Sequence, residues 1–316
     1  MIRASIRSGW RAAFASPRLV AVVWAWSFVF AAIAAVAAWW WLGAAFNHAP
    51  ESDRTLARFQ FGLYVELQQY DRFSPVSLLR GAVLALLAVG AIANPLLAAG
   101  VLEVLVSRDD RPLLHRFFRG AGHFFGRFLR LLLIGGLVTL LAAEVVSTIT
   151  SGLVRAVGES SWERAWLAAA LARLLLIAGV FGLGVVVLDI ARARVALAGT
   201  EVRSMLRTWV GAAAFVARNF RSVLGIYASF AALIVLVLGA YAGVSHVLPA
   251  STPAGIFAAF ALQQLFMVVR GTFRVARAGA AVEFCRLREP RVATLAPAEV
   301  ARVEPPVEVS ELVPQR

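Results

Sequence analysis

Arg116-Phe-Phe-Arg-Gly-Ala-Gly-His-Phe-Phe-Gly-Arg-Phe-Leu-Arg130 runs directly into Leu131-Leu-Leu-Ile-Gly-Gly-Leu-Val-Thr-Leu-Leu-Ala-Ala143. In the first half, Arg116, Arg119, Arg127 and Arg130 recur at spacings that line one side of a helix, with Phe and Leu on the other. The second half carries no charge until Glu144 and then stays uncharged to Val154. A basic amphipathic helix belongs at a membrane surface. An apolar run of about 20 residues belongs in the bilayer core. Together they make an interfacial "elbow" feeding a membrane span.

The same alternation fills the chain. Of its 316 residues, 60% are hydrophobic, and the mean hydropathy is +0.77. Soluble domains are about 45–50% apolar. The excess falls in six blocks: Leu19–Phe46, Val76–Val106, Leu129–Val154, Ala165–Asp189, Val223–Val247 and Ala254–Val269. The expected fold is therefore all-α, a polytopic bundle of six transmembrane helices. The first block follows Arg3–Arg18 like a signal peptide, but it continues through Trp39-Trp40-Trp41, beyond an h-region of about 7–15 residues. An uncleaved span anchored by an outer aromatic belt is expected.

Charge sets the orientation. All 31 basic residues are arginine, and the net charge is +13. Residues 1–18, 107–130, 190–222 and 270–316 hold 24 of them; the alternate segments hold six, offset by six acids, and Arg173 lies within a span. Positive loops stay inside, so both termini are expected in the cytoplasm of a bacterium, with the protein in the inner membrane. That distribution fits anionic membrane lipids as partners and excludes a nucleic-acid role. Loop 47–75 is expected to carry an outer amphipathic helix on Phe59, Leu63, Leu67 and Tyr70. From residue 289 to 316, five Pro and five Glu predict a disordered tail that is either a solvated end or a dock for a partner protein.

A recurrence organises the spans. Arg116-x-Phe118-x-Gly120, Phe124-x-x-Arg127-x-x-Arg130 matches Arg207-x-Trp209-x-Gly211, Phe215-x-x-Arg218-x-x-Arg221 at a constant offset of 91 residues (207 minus 116). Trp10-Arg11-Ala12-Ala13-Phe14 echoes it more faintly. Three parallel repeats of elbow plus two spans are expected, over 1–106, 107–191 and 192–288. Arg116, Arg119, Arg127, Arg130, Arg207, Arg218 and Arg221 are the candidates for lipid headgroups, each adding about 1 kcal/mol of attraction to an anionic leaflet.

Gly199-Thr-Glu-Val-Arg-Ser204-Met-Leu-Arg-Thr-Trp209, followed by Val216-Ala-Arg-Asn-Phe220-Arg-Ser-Val-Leu-Gly225, resembles the elbow of multi-pass bacterial proteins similar to the membrane domain that accompanies some glycerophosphodiester phosphodiesterases. The resemblance covers some thirty residues. It implies a polytopic module with elbow helices and no assigned chemistry. Nothing in this sequence reads as the soluble phosphodiesterase domain, so that activity is not carried over.

Charged groups inside spans are functional candidates. Glu144 and Arg173 both fall roughly 10 Å below the outer surface on adjacent antiparallel helices. They read either as an ion pair fixing helix register or as a substrate or proton site in a wet cavity. Glu103 and Asp189 close the second and fourth spans, and Arg270, Arg274 and Arg277 close the sixth on one helix face. These five read as a polar cluster tying the units together or as a phosphate pocket. Asn94-Pro95 removes a helical hydrogen bond and should kink the second span. Gln263 and Gln264 should bond across helices. The lone Cys285 excludes an internal disulfide and reads as inert or acylated.

His48, His115, His123 and His246 have no metal-ligand spacing, and no nucleophile motif or phosphate loop appears. No cofactor and no metal are expected. Three functions remain: a binding or transport module for a small or lipid-like solute, a membrane scaffold or accessory subunit, and, last, an intramembrane enzyme.

Overall fold

The computed structural model describes residues 1–46, 75–107, 109–158, 163–199, 204–248 and 252–289. The expected helix of loop 47–75 and nearly all of the tail lie outside them. Among the described residues there are eight helices and no strand: α1 (Ile2–Ala15), α2 (Pro17–Phe46), α3 (Pro75–Val106), α4 (Leu113–Gly158), α5 (Glu163–Ala198), α6 (Met205–Arg218), α7 (Phe220–Val247) and α8 (Pro253–Arg288). Six of them, α2 to α5, α7 and α8, are long and apolar enough to cross a membrane.

The helix ends follow local chemistry. Pro17, Pro75 and Pro253 open α2, α3 and α8 at the position where a missing N–H costs nothing. The Thr252 hydroxyl accepts the Gly255 N–H at 3.1 Å, and Ser204 caps α6 by accepting from Arg207 N–H at 3.4 Å. Gly199, at φ +61°, closes α5 in the left-handed conformation that suits glycine.

Two expectations about the elbows divide here. Ser16 and Asn219 separate α1 and α6 from the spans that follow. The middle elbow is not separate: residues 113–158 form one helix of 46 residues. No proline or asparagine stands between Phe124 and Leu131, so nothing interrupts the ladder. Similarly, α5 and α8 run past the expected span ends at Asp189 and Val269, to Ala198 and Arg288. Hydropathy marks where apolar surface ends, whereas Arg, Ala and Leu continue a helix readily.

The helices pack in two units that cut through α1, α4 and α8. One holds Met1–Ser5, Arg130–Phe220 and the chain from Ala281; the other holds Ile6–Leu129 and Arg221–Ala280. In the second unit α2 lies along α3. There α1 crosses α8 at small residues, with Gly9 against Ala276 and Ala280. Beside that crossing, the Trp10 ring meets Phe273 edge-on at 5.0 Å and Phe230 at 5.9 Å. In the first unit α5 packs on α6, Trp209 of α6 sits over Gly135 of α4, and Phe215 meets Phe284 at 5.7 Å.

Burial is uneven along the helices. The most buried side chains include Leu19, Val23, Leu97, Val101, Phe117, Phe128, Ile190, Val195, Ile226, Val275 and Phe284. On each helix they lie toward the end expected to face the cytoplasm. The opposite halves expose Ile33, Val36 and Trp40 on α2, Leu84 and Leu87 on α3, and Leu174 and Leu175 on α5. A soluble protein does not sustain such apolar surface. Lipid tails cover it without penalty, because they are as apolar as leucine.

Candidate functional site

The expected pairing of Glu144 with Arg173 is not what the helices make. Arg173 Nη2 donates instead to Ser147 Oγ at 2.7 Å, joining α5 to α4. Glu144 is exposed, and no ion pair joins it to Arg173. The reason is rotational. The seam of α4 toward α5 holds Thr139, which touches Gly184, then buried Ala143 and Ser147. Glu144 lies three residues before Ser147, about 60° around the helix, and leaves the seam. Depth was readable from the sequence; azimuth was not.

Of the cluster expected from Glu103, Asp189, Arg270, Arg274 and Arg277, Glu103 is engaged by the elbow of α4. Glu103 Oε1 accepts from Arg119 Nη2 at 2.7 Å, so its partner is an elbow arginine rather than an α8 arginine. The other arm of Arg119 reaches Asp109 Oδ2 at 2.9 Å, and Ser107 Oγ lies 3.4 Å from Nη2. Desolvation alone would raise the Asp109 carboxyl. The Arg111 N–H and the Arg119 and Arg111 guanidiniums outweigh it and hold its pKa below the ordinary value. A lowered carboxylate pKa contributes stability above the unfolded pKa and loses it as pH falls through the folded one; the contribution of the Asp109 arm is thus present at neutral pH and lost in acid. Glu103→Gln and Arg119→Gln should show a coupling of about 1 kcal/mol in a double-mutant cycle of detergent melts, as befits a half-exposed pair. Additive effects would mean the clamp is only a surface contact.

Inside the spans, polar groups are used between helices. Trp24 Nε1 donates to Gln264 Oε1 at 3.1 Å, and Tyr241 O–H donates to Gln263 Oε1 at 2.5 Å, as the two glutamines predict. Asn94, read only as part of a kink, accepts from Arg274 Nη2. With these three bonds α8 reaches α7, α2 and α3. The helix α3 continues through Pro95.

Sequence reasoning missed a second joint. Arg194 Nε lies 3.0 Å from Glu289 Oε2, its guanidinium stands 5.8 Å over the Phe215 ring, and Gly211 lies against it. The signal was present: Arg194 follows Glu103 by 91 residues (194 minus 103), as Gly211 follows Gly120.

The elbow arginines differ in state. Arg130, Arg207, Arg218 and Arg221 are exposed, Arg116 and Arg127 are half-buried, and Arg119 is the clamp described above. Between α4 and the start of α6 lies an open groove of about 400 Å³, lined by Arg130, Leu133, Ile134, Ser204, Met205 and Leu206. Cys285 is buried, which places it out of reach of acylation. No group of His, Cys, Asp and Glu among the described residues is arranged to hold a metal ion.

Six apolar helices of spanning length, joined by polar bonds and exposing apolar halves, define a multi-pass α-helical membrane protein. Compared with family models, curated proteins and solved structures, the chain matches none.

Proposed function

We propose that this protein is a bacterial inner-membrane module, with cytoplasmic termini, that binds a lipid or lipid-like solute with an anionic headgroup. The observation that carries the reading is the juxtaposition of exposed Arg130 with exposed Leu133, Leu137 and Leu140 on the same helix. A guanidinium bordering an apolar helix surface matches a phosphate bordering an acyl chain. The exposed Arg207 and Arg218 extend the basic character to α6. Three elbow-plus-two-span repeats give the basic layer a periodic origin, and the spacing of Glu103 and Arg194 supports them.

A scaffold or accessory role, with the tail holding a partner protein, draws support from the paired state of Trp24–Gln264 and Tyr241–Gln263. Polar groups satisfied within the bundle are not free to serve a moving solute. Thermal melts in detergent separate the readings. Added phosphatidylglycerol should raise the melting temperature by several degrees over phosphatidylcholine, since a ligand at a hundred times its Kd stabilises by about 2.7 kcal/mol. Equal responses to both lipids would overturn the lipid reading and favour the scaffold.

A further inference from the structure

We infer that the groove between α4 and the start of α6 seats one anionic phospholipid, its phosphate on Arg130 and Ser204 and an acyl chain along α4. The inference rests on the lipid-binding reading and gives it an address.

The lining is amphiphilic in a fixed order. Arg130 and Ser204 supply the polar end, and Leu133, Ile134, Met205 and Leu206 supply apolar walls. Among the described residues no carboxylate lines the groove, and no acid is salt-bridged to Arg130. Ser204 Oγ already accepts from the Arg207 N–H, which leaves its hydroxyl hydrogen to donate. The polar end therefore presents a cation and a donor, complementary to a phosphate monoanion and indifferent to a headgroup amine.

Beyond the groove the apolar wall continues. Leu133, Leu137, Leu140 and Leu141 are each more than half exposed, and their spacing keeps them on one side of α4. From Arg130 to Leu141 the helix rises about 16 Å, the scale of a fatty acyl chain. A free phosphate would use only the polar end. A neutral lipid would use only the strip. An anionic phospholipid uses both, and it is the occupant to which the groove is matched.

The test uses the full chain in nanodiscs of phosphatidylcholine containing a photoactivatable phosphatidylglycerol. Cross-links in wild-type protein should map to 130–141 and 204–206, and excess inorganic phosphate should not remove them. In parallel, Arg130→Gln should weaken phosphatidylglycerol retention about tenfold, the effect of one lost charge-assisted hydrogen bond. Arg130→Lys should restore most of it, and Arg7→Gln, at an exposed arginine of α1, should leave this site unchanged. Cross-links elsewhere, with phosphatidylglycerol still preferred, would overturn the seat and spare the lipid reading. Cross-links abolished by phosphate would replace the lipid with a small anion. No preference for phosphatidylglycerol anywhere would overturn both.

Discussion

Gly9→Ala is expected to destabilise the protein markedly, while Gly122→Ala, on the next elbow, leaves it unchanged or more stable. A Cβ on Gly9 would run into the carbonyl oxygen of Ala276 and stand 2.9 Å from the Ala280 backbone nitrogen. Both are backbone atoms of α8 and cannot swing aside. Across the same crossing, a Cβ on Gly279 would lie 3.2 Å from the Gly9 Cα and 3.3 Å from the Ala12 Cβ. The two helices meet glycine to glycine, so a methyl group forces them apart and loosens the Trp10–Phe273 contact beside it. Overpacking of this kind costs about 1–3 kcal/mol. A methyl group on Gly122 or Gly126 would meet nothing within 4 Å, and alanine there gains up to about 1 kcal/mol of helix propensity. Gly120→Ala should behave like Gly9→Ala, because its methyl would strike the Glu103 side chain at its root and lie 3.1 Å from the Ala99 carbonyl. Size-exclusion melts of the variants in one detergent decide the matter. Gly9→Ala melting at or above wild type would mean that α1 does not dock on α8 in this way.

These glycines show what was legible beforehand and what was not. Six spans and their approximate centres followed from hydropathy alone, because a bilayer core demands uninterrupted apolar length and little else does. The offset of 91 residues found Gly120 and Gly211 together, and their contacts, with Glu103 and Arg194, keep the same offset. Gly9 was harder to see, since α1 shares the joint but not the spacing. Contacts across helices were mostly hidden. Arg119 read as a headgroup ligand, yet Glu103 and Asp109 hold it. Arg194 and Glu289 are 95 residues apart (289 minus 194), and no local pattern links them. Sequence gives the height of a residue along a helix through a constant rise. Its rotation relative to neighbours depends on packing that one helix does not encode.

Ser147→Ala is expected to harm the protein more than Glu144→Leu, the reverse of the order an Arg173–Glu144 ion pair would give. Breaking a buried ion pair from either side costs about 3–5 kcal/mol. On that basis Glu144→Leu would be the severe change and Ser147→Ala a mild one. The helices are arranged otherwise. Arg173 Nη2 donates to Ser147 Oγ at 2.7 Å, so removing the hydroxyl leaves a half-buried guanidinium short of an acceptor, at about 1–3 kcal/mol. Glu144 is exposed on a helix whose neighbouring exposed residues are Leu140, Leu141 and Val145. Replacing a carboxylate by leucine in that setting removes a group costly to hold in hydrocarbon, where the insertion scale separates an acid from leucine by about 3 kcal/mol. Glu144→Leu should therefore be neutral or stabilising, and its effect should add to that of Arg173→Leu within about 0.5 kcal/mol. Melts of the two single variants and the double variant measure that coupling. If Glu144→Leu instead unfolds the protein, Glu144 has a partner on α5 after all. If it leaves the fold intact but abolishes solute binding or movement, the carboxylate serves a solute or a proton, and a path past α4 becomes the reading to pursue.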